Sequence, residues 1–215
     1  MPGSGALNAD GNAGVDSVSC ASAGNCAAGG DYRDGSGHTQ AFVVRETNGT
    51  WGKAIRVPGS GTLNFGGDAN TGSVSCATAG NCAAAGSYTD GGGQAQAFVA
   101  SETNGTWKRA IQVPGSGTLP AGRFGSGALV SCATAGNCAA GLTYTDDFGR
   151  QQAFVASETN GTWGTAIEIP GLGALNAGGN ASVTSVSCGA AGNCAAVGFY
   201  KDGSGHIQAF LVSQA

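Results

Sequence analysis

One block recurs at a fixed spacing, and it decides what this chain can become. Ser73-Val74-Ser75-Cys76-Ala77-Thr78-Ala79-Gly80-Asn81-Cys82-Ala83-Ala84 returns at 17–28, 130–140 and 185–196. Each copy carries two cysteines with five residues between them: Cys20/Cys26, Cys76/Cys82, Cys132/Cys138 and Cys188/Cys194. Pro2, Pro58, Pro114 and Pro170 each open a Pro-Gly-x-Gly, so the period is 56 residues with no insertion between copies. A period near this length marks a solenoid, a propeller or an array. Glycine is abundant, 41 of 215 residues. It falls at fixed places in the period, which argues against low-complexity disorder.

The second copy shows how one unit reads. Gly72 to Ala77 is small and β-compatible, and Thr78-Ala79-Gly80-Asn81 is a turn. Cys82 to Thr89 is a second strand ending in a tyrosine, and Asp90-Gly91-Gly92-Gly93 a second turn. Gln96 to Thr103 is a third strand. Asn104-Gly105 is a hairpin signal, because a type I′ turn needs positive φ at both central residues. Trp107 to Val113 is a fourth strand, expected to show Trp107, Arg109, Ile111 and Val113 on one face. A glycine-rich connector follows, with Leu119 matching Leu7, Leu63 and Leu175 and expected to pin it to the body. No helical periodicity is visible. Four antiparallel strands and a long return, repeated, describe a propeller blade. The expected fold is therefore all-β: a four-bladed β-propeller-like array of four 56-residue, mostly four-stranded antiparallel repeats. One repeat domain is expected over 1–215, with units 2–57, 58–113, 114–169 and 170–215. Small residues belong near a narrow axis, and the Phe98 and Trp107 positions between blades. The fourth copy reaches Ala215 before an Asn-Gly turn or a Trp strand. Either that blade has three strands, or its edge at 208–213 pairs with another chain, making the protein a monomer or a homo-oligomer through this incomplete repeat.

Eight cysteines in equally spaced pairs predict disulfides and an oxidising, extracellular compartment. Closing so short a ring contributes about 2 kcal/mol on the chain-entropy account. Zinc is disfavoured, because structural sites keep two to four residues between paired cysteines and His38 and His206 are not clustered. Net charge is −4 and no Lys/Arg cluster exists, which argues against nucleic acid. No apolar run reaches the length of a membrane span. No signal peptide is visible, and Met1-Pro2 lies at a repeat boundary, so the chain is expected to be a mature or excised segment behind an added start methionine. The glycine-rich connectors lack the helix or the Lys-Ser/Thr of a phosphate loop, and no cofactor is expected.

The units resemble repeat proteins of secreted actinobacterial type, of the exo-α-sialidase-like or Asp-box (bacterial neuraminidase repeat) propeller kind. The resemblance rests on Ser-Val-Ser-Cys-x5-Cys-Ala-Ala, on the Tyr-x-Asp turn, and on Glu-Thr-Asn-Gly-Thr-Trp at 46–51, 102–107 and 158–163. The Asp box itself reads Ser-x-Asp-x-Gly-x-Thr-Trp. Here only Thr-Trp matches, with Glu46, Glu102 and Glu158 at its Asp and Asn48, Asn104 and Asn160 at its Gly. The resemblance implies a propeller, in which the box is a fold element. Sialidase chemistry would need three arginines on a carboxylate, a Tyr activated by a Glu, and an acidic Asp. The arginines (Arg33, Arg45, Arg56, Arg109, Arg123, Arg150) carry no motif that gathers three of them, so no catalytic residue is expected.

A polar set recurs instead: Tyr32, Asp34 and Gln40; Tyr88, Asp90 and Gln96; Tyr144, Asp146 and Gln152; Tyr200, Asp202 and Gln208. An aromatic ring beside a carboxylate and an amide suits sugar hydroxyls, and four copies would add avidity. The bland alternative is that Asp caps its own turn, Tyr packs between blades and Gln satisfies backbone groups. Calcium at Asp34-Gly35-Ser36-Gly37 is disfavoured, because one carboxylate falls short of six to eight oxygen ligands. The Asn-x-Thr/Ser triplets at Asn48, Asn104, Asn160 and Asn180 match glycosylation sequons, the first three better read as hairpin turns. The expected function is an extracellular, non-catalytic, multivalent carbohydrate-binding module with glycans as partners. A structural or assembly scaffold is the alternative, and a sialidase-like hydrolase the second.

Overall fold

The computed structural model describes residues 2–116, 127–214 and the backbone of Arg123–Phe124. Four antiparallel sheets follow one another along the chain, one per unit. In unit one, Ala13–Ser22 pairs with Asn25–Arg33, which pairs with Thr39–Thr47. The same path runs Ala69–Thr78, Asn81–Thr89, Ala95–Thr103 in unit two and Leu129–Thr134, Asn137–Thr145, Gln151–Thr159 in unit three. In unit four it runs Ala181–Ala190, Asn193–Lys201, Ile207–Ser213, and no fourth strand follows among the described residues. The fold is thus the expected all-β, four-bladed propeller-like array. Leu119 lies outside the described residues.

The cysteines face each other across the first hairpin of every unit. All four pairs are disulfides: Cys20–Cys26, Cys76–Cys82, Cys132–Cys138 and Cys188–Cys194. The two members of a pair are not equivalent, which their spacing does not reveal. Cys26 is only 7% exposed, and Cys82, Cys138 and Cys194 are buried likewise. Cys20 is exposed, and Cys76, Cys132 and Cys188 are half-buried. The cause is position in the sheet: the second strand lies between the first and the third, so the cysteine at its start is covered. Cys26, Cys82, Cys138 and Cys194 are therefore core residues that brace the hairpin. The Asn-Gly turns have the expected geometry, with φ of 49°, 48° and 49° at Asn48, Asn104 and Asn160. Each is stitched to the first hairpin turn of its own sheet. Gly105 N–H donates to the Gly80 carbonyl, and Asn104 N–H to Asn81 Oδ1.

Two further expectations differ from the structure. The fourth strand is two short pieces, Thr106–Trp107 and Ile111–Gln112 in unit two, with a break between. At the break, Ala110 N–H donates to the carbonyl of Pro58, the first residue of its own unit. The strict alternation therefore fails: Trp107, Ala110 and Val113 are buried while Arg109 and Ile111 face out. The connectors also carry single helical turns, Ser4–Leu7, Ser60–Thr62 and Leu172–Leu175. Each starts from a glycine held at φ near +80°, which the Pro-Gly pair supplies.

Adjacent sheets are joined through their first strands. Ser17 and Ser19 hydroxyls accept the Val74 and Cys76 amides, and Ser73 and Ser75 accept those of Val130 and Cys132. Ser131 accepts Cys188 N–H. A β-bulge between Thr71 and Ser73 inserts one residue into the first strand. Thr71 and Val74, three apart, can then both be buried against the preceding sheet, which a plain alternation would forbid. The close approach requires glycine opposite. A Cβ on Gly29 would lie 2.4 Å from Thr71 Cγ2, and one on Gly141 2.6 Å from Val183 Cγ1. Aromatics fill the remaining space as expected, with Phe98 and Trp107 packed against Ala27 and Val43 of the preceding unit.

The two ends of the array do not cover each other. Val18 is 61% exposed in unit one, whereas Val74 and Val130, its counterparts, are 5% and 7% exposed. Leu211 in unit four is 72% exposed, whereas Val43 and Val99 at the same place in the period are fully buried.

Candidate functional site

The sheets of units one and two leave an open cleft of about 350 Å³ between them. Its walls are the end of the third strand and the broken fourth strand of unit one (Arg45, Thr47, Thr50, Lys53, Ile55), with Glu102 and Trp107 from unit two. A cleft of about 330 Å³ sits at the same place on unit three, lined by Ser157, Thr159, Thr162, Thr165 and Ile167. The hydroxyls and the isoleucine repeat. Arg45 does not: it stands where units two and three have Ser101 and Ser157, whereas Lys53 stands where unit two has Arg109 and unit three Thr165.

That departure has a cost that can be located. Between units two and three, Trp163 Nε1–H donates to Ser101 Oγ at 3.1 Å, and the Ser101 hydroxyl donates to Glu158 Oε1. One serine thereby satisfies two buried groups. Between units one and two the serine is replaced by Arg45. Trp107 Nε1 is left without a hydrogen-bond partner, as are both Glu102 carboxylate oxygens. Arg45 Nη1 lies 3.6 Å from Glu102 Oε1, an ion pair rather than a hydrogen bond. The Glu102 side chain is fully buried and the Arg45 side chain 38% exposed. Burial raises the Glu102 carboxyl above its ordinary value, and Arg45 opposes the rise. Leaving buried polar groups unpaired costs about 1–3 kcal/mol each. The guanidinium is consequently held at the cleft mouth, with Lys53 beside the same opening and a single buried carboxylate against the two cations.

The repeated Tyr, Asp and Gln positions are brought together within each unit, but largely inside. Tyr32, Tyr88 and Tyr144 are buried, and burial pushes the Tyr88 phenol up to about 12, with Asp90 adding to it. Tyr144 stacks edge-on against Phe154, centroids 5.9 Å apart. Asp34 Oδ1 accepts the amides of Ser36 and His38, and its Oδ2 accepts Gln40 Nε2 at 2.9 Å. Burial alone would raise this carboxyl; the Gln40 amide and the two backbone N–H groups outweigh it and hold it below the usual range. Asp90 accepts Gly92 N–H, Gln94 N–H and Gln96 Nε2, and Asp146 accepts the amides of Phe148 and Arg150. Gln40 Oε1 in turn accepts Asn64 Nδ2 from the connector of the next unit, and Gln152 accepts Asn176 likewise. Gln96 meets Gln112 instead. Only unit four leaves the set open: Gln208 is exposed and still donates to Asp202 Oδ2 at 2.8 Å. That bond, with the amides of His206 and Ser204, holds the Asp202 carboxyl low. Each Asp turn points backbone N–H groups at the carboxylate, an arrangement for an anion rather than a cation. Among the described residues no three of His, Cys, Asp and Glu converge as metal ligands.

Sequence reasoning missed Arg45, Lys53, Thr47 and Thr50. For Arg45 the signal was present as a break in the period, because it interrupts a position that is Ser in units two and three.

Sheets of this kind, set side by side through their first strands, define an all-β, propeller-like array of blades. No family model matches the sequence and no curated protein matches it. The fold is similar to a protein of unknown function from Dyadobacter fermentans DSM 18053, at TM-score 0.51 and 15% identity, over 88% of this chain and 57% of that one. It is similar also to the Hadza microbial sialidase Hz136, at TM-score 0.51 and 14% identity, over 93% of this chain and 43% of that one. The chain thus spans about half the length of the solved structures it matches. At such identity the likeness concerns the fold alone.

Proposed function

We propose that this protein is an extracellular, non-catalytic carbohydrate-binding module, and that the cleft between units one and two takes the acidic group of a glycan. The observation that carries the reading is the exchange of a structural serine for Arg45. A local rule kept between units two and three is broken between units one and two, at the mouth of a cleft, by a side chain suited to carboxylate or sulfate. Lys53 adds charge, Thr47 and Thr50 offer hydroxyls, and Ile55 offers an apolar surface to a sugar ring. The four disulfides favour an oxidising compartment. The open set of unit four, Tyr200, Asp202 and Gln208, is a secondary contact in this reading, and the corresponding Asp turns of units one to three offer only their rims.

Titration calorimetry with uronic-acid, sulfated and sialylated oligosaccharides tests the proposal. Binding is expected to weaken with salt, and Arg45→Ser with Lys53→Thr, both residues that the repeat itself uses, to weaken it at least tenfold. Absence of binding at millimolar acidic glycan, or binding indifferent to these changes, would overturn it.

A second reading is an assembly scaffold. It is favoured by the stitching of Gln40 and Gln152 to the following connectors, which spends the repeated polar set on joining units.

A further inference from the structure

The joint between units one and two repeats the joint between units two and three, with two exchanges. In the latter, Ser101 Oγ accepts the indole N–H of Trp163 and donates to Glu158 Oε1. Lys108, just past the Trp of unit two, supplies the positive charge that faces Glu158. Its Nζ lies 3.6 Å from where a Cβ on Gly161 would stand. Between units one and two, Arg45 replaces the serine and Gly52 replaces the lysine. Arg45 Nη1 takes the lysine's place against the turn glycine, here Gly105. The cation is thus restored from another position, and the hydroxyl is not.

Two buried groups with complementary requirements are left. Trp107 is 8% exposed with Nε1 unpartnered, and Glu102 is 3% exposed with both carboxylate oxygens unpartnered. An indole can only donate, and an ionised carboxylate can only accept. A hydroxyl accepts from the one while donating to the other, as Ser101 does. A carboxylate or sulfate could serve only the indole, and an ammonium only the carboxylate. Both residues line the cleft of about 350 Å³, together with Arg45, Gly52 and Lys53. Gly52 has no side chain to stand in that cleft, where unit two carries the Lys108 stem.

We propose that Trp107 Nε1 and Glu102 receive a hydroxyl of the ligand in the role that Ser101 fills one joint further on. The cleft then selects a sugar with a free hydroxyl on the carbon next to the one that bears its acid group. This rests on the acidic-glycan function proposed above and narrows it. Arg45 Nη1 lies 3.6 Å from Glu102 Oε1. The acid held by the guanidinium and the hydroxyl held by the carboxylate are therefore neighbours on the ligand. A terminal uronic acid has this arrangement. A uronic acid linked through that hydroxyl lacks it, and so does a sialoside, whose acid-bearing carbon adjoins a methylene.

The test titrates the whole chain with methyl glucuronide and with two analogues, in which the hydroxyl beside the carboxyl-bearing carbon is removed or methylated. The parent sugar is expected to bind at least about tenfold more tightly than either analogue. It should also shift the indole N–H resonance of Trp107 and leave that of Trp163 in place. Trp107→Phe should erase the preference for the parent while binding stays salt-dependent. Arg45→Ser, which brings a hydroxyl of its own, should erase it too, whereas Arg45→Ala should keep the preference and lose the salt dependence. Equal binding of parent and analogues that still depends on Arg45 and Lys53 would overturn the hydroxyl seat and leave the acidic-glycan function standing. No binding of any of the three at millimolar concentration would overturn both. A preference that survives Trp107→Phe, or a Trp107 resonance that does not move, would place the hydroxyl elsewhere and overturn the seat. The resonance decides alone if Trp107→Phe does not fold.

Discussion

At the scale of the residue, the most informative positions are those where the period breaks. Ser101, between units two and three, joins Trp163 and Glu158 in one buried chain of hydrogen bonds. Arg45 cannot, so Arg45→Ser should stabilise the protein by about 1 kcal/mol in denaturant melts while weakening ligand binding. Glu158 titrates with a definite sign. Burial raises its carboxyl above the ordinary 4.5, with the Ser101 hydrogen bond and Lys108 opposing the rise. The folded state therefore holds the proton more tightly than the unfolded one. That stabilisation is fully present below pH 4.5 and fades as pH rises through the folded-state value. Glu158→Gln, the residue that Gln214 already provides in unit four, should raise stability at pH 7 and flatten its decline above pH 4.5. Melting temperatures of both proteins from pH 4 to 8 check this. A steeper decline in the variant would refute it.

At the scale of the element, the hairpins were legible and the inter-unit joints were not. Cysteines spaced six apart around Ala-Gly-Asn can only face each other across a tight hairpin, and Asn-Gly names its own turn. Which cysteine of a pair is covered was not legible: Cys20 and Cys26 look alike in sequence, and only the third strand beside Cys26 separates them. The same hairpin logic predicts that Asn104→Ala costs about 1–2 kcal/mol, because a Cβ disfavours the left-handed conformation, while Asn104→Gly is near neutral. Chemical denaturation of both variants decides it. The fourth strand was misread because its break depends on Pro58, a carbonyl more than fifty residues upstream, and period-2 reasoning sees only neighbours. The Tyr-Asp-Gln set was legible as a pattern. Its second partners, Asn64 and Asn176, lie in the next unit and leave no local trace. Arg45 was hidden differently: attention to what repeats passes over what does not.

At the scale of the whole molecule, the period located each sheet and the burial of its faces follows from neighbours. Val18 and Val74 occupy one place in the repeat, yet one faces water and the other a neighbouring sheet. Val74→Thr should therefore cost about 1–3 kcal/mol, and Val18→Thr less than about 0.5 kcal/mol. Thermal unfolding of the two variants compares them directly, and equal losses would mean that the unit-one face is covered.

The serine hydroxyls that accept the next sheet's amides carry a consequence for how the chain is divided. A piece cut at successive prolines would own half of two joints and the whole of neither. The natural module is not the period that the eye picks out but the seam between two periods. Structure of this kind melts and forms by seams, so its cooperativity is set by how many of them are closed at once.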